Sequence, residues 1–455
     1  MSTYAENNID TLPGTRPVKN FTGMSTTKVL NRVEVHDLLK RGIWIYILLL
    51  IFEGALRKWI FPPLATPLLV VRDPVAIWLI WTAYKYKEFP LNIYVKLTVG
   101  LTLFSIFTAI TIGHHSIVVA FYGARIYLFH FPLIFLIGRI FTREDVLKVG
   151  RLLFYMAVPM IMLIILQFNS PQTAFVNKGI GADSQGGGFS GALGYYRPPG
   201  TFSFTTGNTQ FFGLVGVFVI YFWLNLKEVS RPLLIAATIC VIVSIPVSIS
   251  RALLIQIVLS LVFAVASISK NPKLLGRMIA AGFSLVIIML LLSNVGFIGK
   301  AIEVLTTRFS NASDSEGTID ETIINRIGAS IGEPFQRGGL PFFGLGIGMG
   351  TNAGAQLLTG RADEFLISEG EWGRLIGEMG AIIGMIFIVL RMQMCLKLLL
   401  AAYKRIRMNN LLPWMLVSIC FQTLAQGQWA QPTSLGFGII LSGFAIAAFN
   451  EEPTF

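Results

Sequence analysis

Residues 152–168 read LLFYMAVPMIMLIILQF, a run without one charged side chain. A bilayer core of roughly 30 Å is crossed by about 20 apolar residues in helix. Extended to 148–168, the run therefore reads as a transmembrane span. The same reading along the chain predicts twelve spans, at about 43–60, 66–84, 93–112, 115–138, 148–168, 208–226, 233–250, 252–268, 277–295, 376–400, 411–428 and 432–449. The expected fold is an all-α, polytopic integral membrane helical bundle.

Composition points the same way. Of 455 residues, 54% are hydrophobic and 13% are charged, and mean hydropathy is +0.68. A soluble domain carries about a quarter charged residues. Too little polar surface remains to cover a soluble protein of this length, which excludes soluble enzymes, disordered chains and nucleic-acid binders. The formal charge of +12 then belongs to loops that stay on the cytoplasmic side. With the N-terminus inside, the short inner loops are 84–87, 139–148, 227–231, 270–277 and 404–407, and each carries at least two Lys or Arg residues. This charge pattern places both termini in the cytoplasm. Residues 1–42 read as a polar cytoplasmic tail without a removable signal peptide, 43–450 as the membrane domain, and 451–455 as a short inner tail. Two long loops fall outside, about 169–207 and 296–375, and the second is large enough to form a partly helical cap between the ninth and tenth spans.

Cys240, Cys395 and Cys420 sit in apolar stretches, which implies no disulfide framework. His36, His114, His115 and His130 lack metal-ligand spacing. Neither a metal nor a cofactor is expected.

Charged residues at the ends of spans carry the candidate chemistry. The first group is Glu53-Gly-Ala-Leu-Arg57-Lys58-Trp59-Ile-Phe-Pro62-Pro63, followed by Arg72-Asp73-Pro74. Charges at this depth need partners or a polar cavity. Their plain structural role would be an Arg72–Asp73 or Glu53–Arg57 pair that fixes the hairpin. The second group, Arg197-Pro-Pro-Gly200-Thr201-Phe-Ser-Phe-Thr205-Thr206-Gly207-Asn208, leads into a helix start. Guanidinium, hydroxyls and helix N–H groups together suit an anion, although an ordinary capped helix would use the same residues. The third is Ser248-Ile249-Ser250-Arg251, a turn too short to hide its arginine. The fourth is the 296–375 loop with Arg326 and Arg337. Its glycine run Gly344-Leu-Gly346-Ile-Gly348-Met-Gly350 lacks the Lys-Ser/Thr of a phosphate-binding loop, so it reads as close packing. Glu369, Glu371, Arg374 and Glu378 follow. Glu371, Arg374 and Glu378 share one helix face as a charge network, and one carboxylate could act as a general base. Arg125 inside the fourth span should face the bundle interior.

Several of these motifs together resemble the O-antigen polymerase and O-antigen ligase superfamily of bacterial envelope proteins. They are Arg197-Pro-Pro-Gly-Thr-Phe before a span, Ser248-Ile-Ser250-Arg251-Ala252 between two spans, Phe343-Gly344-Leu-Gly346 in the large outer loop, and Glu378-x-Gly380-x-x-x-Gly384 at a helix start. Their order and topology match over about residues 90–450. The Arg57-Lys58-Trp59…Pro62 and Arg72-Asp73-Pro74 stretch resembles an exopolysaccharide-associated branch of that superfamily.

The resemblance implies inverting, metal-independent glycosyl transfer at the periplasmic face of the bacterial inner membrane. The donor would be a glycan on undecaprenyl pyrophosphate. Arg197 and Arg251 match motif arginines and would hold the pyrophosphate, with Arg326 and Arg337 as further candidates. Arg57, Lys58, Arg72, Asp73, Arg125, Arg374 and Glu378 would be substrate-facing or structural charges. Ligases carry a His-Asn pair about nine residues before the Glu-x-Gly helix start. Here that place is near Glu369-Gly370, and the loop has no histidine. This favours polymerase over ligase and leaves Glu369 or Glu371 as the possible base. A flippase or transporter is the other alternative. Expected partners are the lipid-linked glycan, membrane lipid, a flippase and a chain-length regulator.

Overall fold

The structure is a computed structural model that describes residues 31–183, 186–268, 276, 294, 296–316, 331–332, 340–360, 367–368, 370–408 and 410–450. Apart from one ribbon of two short strands, its regular elements are helices. In chain order they are α1 (Arg32–Ala55), α2 (Asp73–Lys85), α3 (Ile93–Thr111), α4 (Ile117–Arg125), α5 (Phe131–Ile140) and α6 (Arg143–Asn169). The strands β1 (Phe189–Ser190) and β2 (Tyr196–Arg197) come next, then α7 (Thr205–Leu224), α8 (Arg231–Val247), α9 (Arg251–Ile268) and α10 (Gly296–Glu316). The last four are α11 (Asn352–Thr359), α12 (Glu371–Ile406), α13 (Leu412–Val417) and α14 (Pro432–Ala447).

Seven described helices are long and apolar enough to cross a membrane: Pro67–Lys85, Ile93–Thr111, Ile117–Ile140, Arg143–Asn169, Thr205–Leu224, Arg251–Ile268 and Glu371–Ile406. Helices α8 and α14 are apolar but shorter. Neither of the expected spans 43–60 and 411–428 is among the seven; their described residues form helices with π-helical turns at Leu56–Ile60 and Phe421–Ala425. A third π turn, Ile126–His130, joins α4 to α5. The expected span 277–295 and the tail 451–455 lie outside the described residues.

Helix begins within the expected tail of 1–42. Residues 1–30 lie outside the described residues, but α1 already starts at Arg32. A reciprocal capping box fixes that start: the Asn31 side chain accepts from Val33 N at 3.2 Å, and Glu34 accepts from Asn31 N at 2.8 Å. Val35, Leu39 and Ile43 are then buried on one helical face, which extends the helix well before the apolar run begins.

Packing is tight. Helix α14 lies against α5, α6 against α8, and α7 against α9. The ends of α1, α3 and α6 and the starts of α2, α7, α9, α12 and α14 gather at one end of the bundle, called here the loop end. Two close approaches shape it. A Cβ on Gly54 would stand 2.3 Å from backbone atoms of Phe202 and Ser203, so only glycine lets the 197–204 segment lie on α1. The glycine run Gly344–Gly350 is packed rather than open: Gly344, Gly346 and Gly348 have φ of 75°, 110° and 94°. Leu345 N and Gly346 N donate to Gly377 O and Glu378 O at 2.8 and 2.9 Å. Opposite them α12 itself breaks at Gly380, with φ 80° and ψ 166°.

Gly54→Val should destabilise the protein by about 1–3 kcal/mol, the usual range for overpacking. Thermal unfolding in detergent, followed by size-exclusion chromatography, would read the loss; an unchanged midpoint would mean that the 197–204 segment does not rest on α1.

Candidate functional site

The loop end is built on two buried carboxylates. The first is Glu53, near the end of α1. It accepts from Arg57 Nη1 at 3.4 Å and from Arg72 Nε at 3.1 Å. Arg57 also donates to Ala65 O at 2.7 Å and to Ser203 Oγ at 3.0 Å. Arg72 reaches further, to Tyr46 Oη at 3.5 Å and to Pro432 O at the start of α14. Lys58 turns the other way and donates to Gly200 O at 2.7 Å and Phe202 O at 2.9 Å. With Thr201 Oγ1 donating to Ile51 O at 2.7 Å, it staples the 197–204 segment onto α1. The first two sequence groups thus form one unit, and Lys58 is its clamp.

Asp73 does not pair with its neighbour Arg72. It accepts from Arg125 Nη1 at 2.8 Å and lies 2.9 Å from His130 Nε2. The other His130 nitrogen is 2.9 Å from Tyr46 Oη. A continuous chain therefore runs Glu53–Arg72–Tyr46–His130–Asp73–Arg125. Arg125 faces the bundle interior, as its cost in lipid requires.

The second carboxylate is Glu371, at the start of α12. Its oxygens accept from Arg374 Nε and Nη2 at 3.0 and 2.9 Å, from Arg391 Nη1 at 2.5 Å and from Trp429 N at 3.1 Å. Arg374 also donates to Glu378 at 2.8 Å and Tyr127 Oη at 3.1 Å. Glu378 accepts from Gly350 N at 2.9 Å, which ties the glycine run to this network. The shared face of Glu371, Arg374 and Glu378 is present as a network. Arg391, 20 residues beyond Glu371 on the same helix, completes it and lies 3.9 Å from the Trp429 ring centre.

A group of arginines collects elsewhere. Arg197 on β2, Arg251 at the first turn of α9 and Arg308 on α10 lie close enough to act on one another. Burial first, then Arg308 and Arg251, pull the Arg197 pKa down to about 10. Its Nε is buried without a hydrogen-bond partner. Arg308 Nη1 donates to Ile249 O at 2.7 Å. Ile249 has φ 49°, a left-handed conformation costly for a β-branched residue. The turn before α9 is thus held in a strained shape that carries both Arg251 and the anchor of Arg308. Ser250 lies 2.9 Å from Thr209 Oγ1 on α7, which joins this turn to the 197–208 segment. In that segment Thr205 Oγ1 and Asn208 Oδ1 are also buried without partners.

A cavity of about 740 Å³ opens between these parts. Its lining includes Glu53, Arg57, Tyr122, Asp183, Asn352 and Gln431. Gly186 to Phe189, Ser203, Gln356 and Thr433 contribute as well. Phe189 pairs directly with Arg197 across the ribbon, so Arg197 stands one strand over from the cavity lining. A smaller recess lined by Glu371 and Arg374 shares Asn352, Ala430 and Gln431 with it.

Of the residues expected from the sequence, Arg57, Lys58, Arg72, Asp73 and Arg125 gather around Glu53 and the cavity. Arg197 and Arg251 come together. Arg374, Glu378 and Glu371 form the second hub, where four donors occupy Glu371. Arg326, Arg337 and Glu369 lie outside the described residues. Arg308 was not singled out, because one arginine on a polar helix carries no signal in a single sequence. Glu53 was visible as a costly intramembrane charge, although its place in the cavity wall was not.

Glu371→Ala would take the carboxylate from buried Arg391 and leave buried Arg374 with Glu378 alone, and should cost about 3–5 kcal/mol of stability. Arg197→Met removes like-charge repulsion and should be neutral or stabilising. Thermal unfolding of the two variants in detergent separates them; equal losses would mean that Arg197 is a structural pillar like Glu371.

No protein-family model, curated protein or solved structure matches the chain.

Proposed function

We propose that this protein is a membrane glycosyltransferase that polymerises lipid-linked oligosaccharide repeat units into exopolysaccharide or O-antigen. In this reading the loop end faces the periplasm, the membrane is a bacterial inner membrane, and both chain termini are cytoplasmic. The observation that carries it is the Arg197–Arg251–Arg308 group, whose Arg197 lies one strand over from a cavity lined by carboxylates, amides and hydroxyls. Guanidinium groups bind phosphate oxygens in two-pronged fashion. Amide and hydroxyl side chains suit sugar hydroxyls.

The reaction is an inverting displacement. An acceptor hydroxyl attacks the anomeric carbon of the donor glycan, and undecaprenyl pyrophosphate departs with the bonding electron pair. The arginines neutralise charge as it develops on that leaving group. They do so without reorganising, because Ile249 and β2 already hold them in place. A flippase would deliver repeat units to this face, and a chain-length regulator would act on the same product. The ligase alternative uses the same donor chemistry with a different acceptor.

Cells lacking the protein should lose long polymer and accumulate single repeat units on lipid at the outer leaflet. Gels of lipid-linked and surface glycan read this directly. Long polymer left on lipid would point to a ligase, and repeat units trapped on the inner leaflet to a flippase. Arg251→Ala should abolish chain extension without loss of protein, and Arg251→Lys should be impaired because an ammonium makes one contact where a guanidinium makes two. A normal length distribution in Arg251→Ala would sink the assignment.

Inorganic pyrophosphate should also raise the thermal midpoint of the purified protein. Binding needs the charged form of Arg197, whose pKa in the free protein is about 10. An anion favours that form, so its binding raises this pKa. The protection should therefore hold below pH 10 and fade above it in wild type, and be weaker throughout in Arg197→Met. Protection of equal size in the variant would place the anion elsewhere.

A further inference from the structure

The transfer reaction leaves one task unassigned: something must take the proton from the attacking hydroxyl. The described carboxylates at the loop end differ in what they have free. Glu371 is saturated by four donors. Glu378 is bound by Arg374 on one oxygen and Gly350 N on the other. Asp73 is clasped by Arg125 and His130 and does not belong to the cavity lining. Asp183 lines the cavity from the 169–207 segment and has contacts of its own. Glu53 lies in the cavity wall near the end of α1. Each of its oxygens has one donor, at 3.4 Å from Arg57 and 3.1 Å from Arg72. A carboxylate oxygen accepts two hydrogen bonds, so each keeps acceptor capacity.

Resting on the glycosyl-transfer reading, we propose that Glu53 is the catalytic carboxylate that accepts the acceptor hydroxyl's proton, held in position by Arg72.

The step balances without any further reagent. The acceptor oxygen forms its bond to the anomeric carbon while the bond from that carbon to the pyrophosphate oxygen breaks. The electron pair leaves with the lipid pyrophosphate. The proton passes to Glu53 and from there to water in the cavity. Ion pairing to two arginines makes Glu53 a weak base, and a weak base is enough. As the acceptor oxygen bonds to carbon it becomes an oxonium, far more acidic than an alcohol, so proton transfer runs downhill late in the step. A negative charge beside the sugar ring also opposes the positive charge that the ring develops.

The surroundings fit this role better than a purely structural one. The π turn Leu56–Ile60 follows Glu53 directly, and π turns occur often at functional sites. It sends Lys58 to the 200–202 backbone and Arg57 to the cavity. Arg72 is itself fixed by Tyr46 and Pro432 O, and Tyr46 in turn by His130. Glu53 is thus a positioned group whose free lone pairs meet a cavity large enough for several sugar units.

The test uses full-length purified protein and lipid-linked repeat units extracted from cells that lack it. Glu53→Ala should lower polymer formation about 100-fold or more, the contribution of a lost general base. Sodium azide is a nucleophile with no proton to lose. Added to Glu53→Ala, it should restore turnover of the donor, giving a glycosyl azide of inverted configuration and free lipid pyrophosphate. Arg251→Ala, which lacks part of the proposed leaving-group clamp, should give no azide product. Glu53→Gln keeps the side-chain volume and serves in the same assay if Glu53→Ala does not accumulate.

Three results overturn the proposal. Undiminished polymer from the Glu53 variants would show that no proton passes through this residue. A folded variant that forms neither polymer nor glycosyl azide would make Glu53 part of the donor site's framework. Wild-type protein that leaves the lipid-linked units unchanged would bring down the transfer reading itself, and this assignment with it.

Discussion

Glu53 and Arg72 are both nearly sealed from solvent, with side-chain exposures of 3% each, and much of the loop end is arranged to keep that pair satisfied. Two buried ions attract strongly but have lost their hydration, and the balance is favourable only when remaining donors and acceptors find partners. Arg72 therefore spends its other nitrogens on Tyr46 and Pro432 O. That reach crosses α14 at Gly436, where a Cβ would lie 2.2 Å from Arg72 Nη1. Helix α14 can approach only because that position is glycine. The ion pair thus sets the spacing of α1, the α2 start and the α14 start in one stroke. Glu371 does the same for α12, the π turn Phe421–Ala425 and Trp429.

Irregular backbone follows from these same charges. The three π turns each adjoin a polar contact: Arg57 and Lys58 lie on the first, His130 ends the second, and Leu424 O on the third accepts from Arg391 at 2.7 Å. A π turn widens the helix and leaves carbonyls or side chains aimed where a regular helix would not put them. Such backbone is tolerated at membrane depth where protein or a cavity covers it. The break of α12 at Gly380 belongs to the same class, since it faces Phe342 O and Gly344 N rather than open surface.

Hydropathy made the long helices legible, because lipid demands length and apolar content from each span separately. The charged residues announced themselves for the complementary reason: nothing but a partner or a cavity excuses them there. Which partner they take was much less legible. Sequence proximity suggested Arg72 with Asp73, yet adjacent residues at a helix start point in different directions, and Asp73 meets Arg125 and His130 instead. The Glu371–Arg374–Glu378 face was readable because helical periodicity alone brings those residues together. Arg391 joins from the far side of the Gly380 break and from no local pattern. The start of α1 was missed by hydropathy because a polar capping box, not apolar content, determines it. Arg308 shows the same limit, as tertiary packing alone places it beside Arg197.

The two carboxylate hubs and the arginine group divide the work of the loop end. Glu371, with four donors on its two oxygens, contributes rigidity and little affinity for anything else, since its charge is already spent. Arg197 stands in the opposite state: its neighbours are cations, burial disfavours its charge, and its Nε has no partner. Such an arrangement costs folding energy and is held by surrounding structure, here the Lys58 staple behind the 197–204 segment and the strained turn at Ile249. Under the proposed function an incoming polyanion would relieve that cost as it binds, so that part of its affinity would be supplied in advance by the fold. The relief is greatest where negative charge is greatest. In the proposed glycosyl transfer, a pyrophosphate that gains charge as its bond to sugar breaks would therefore be favoured over the ground-state ester, and the strain in this corner of the bundle would lower the barrier.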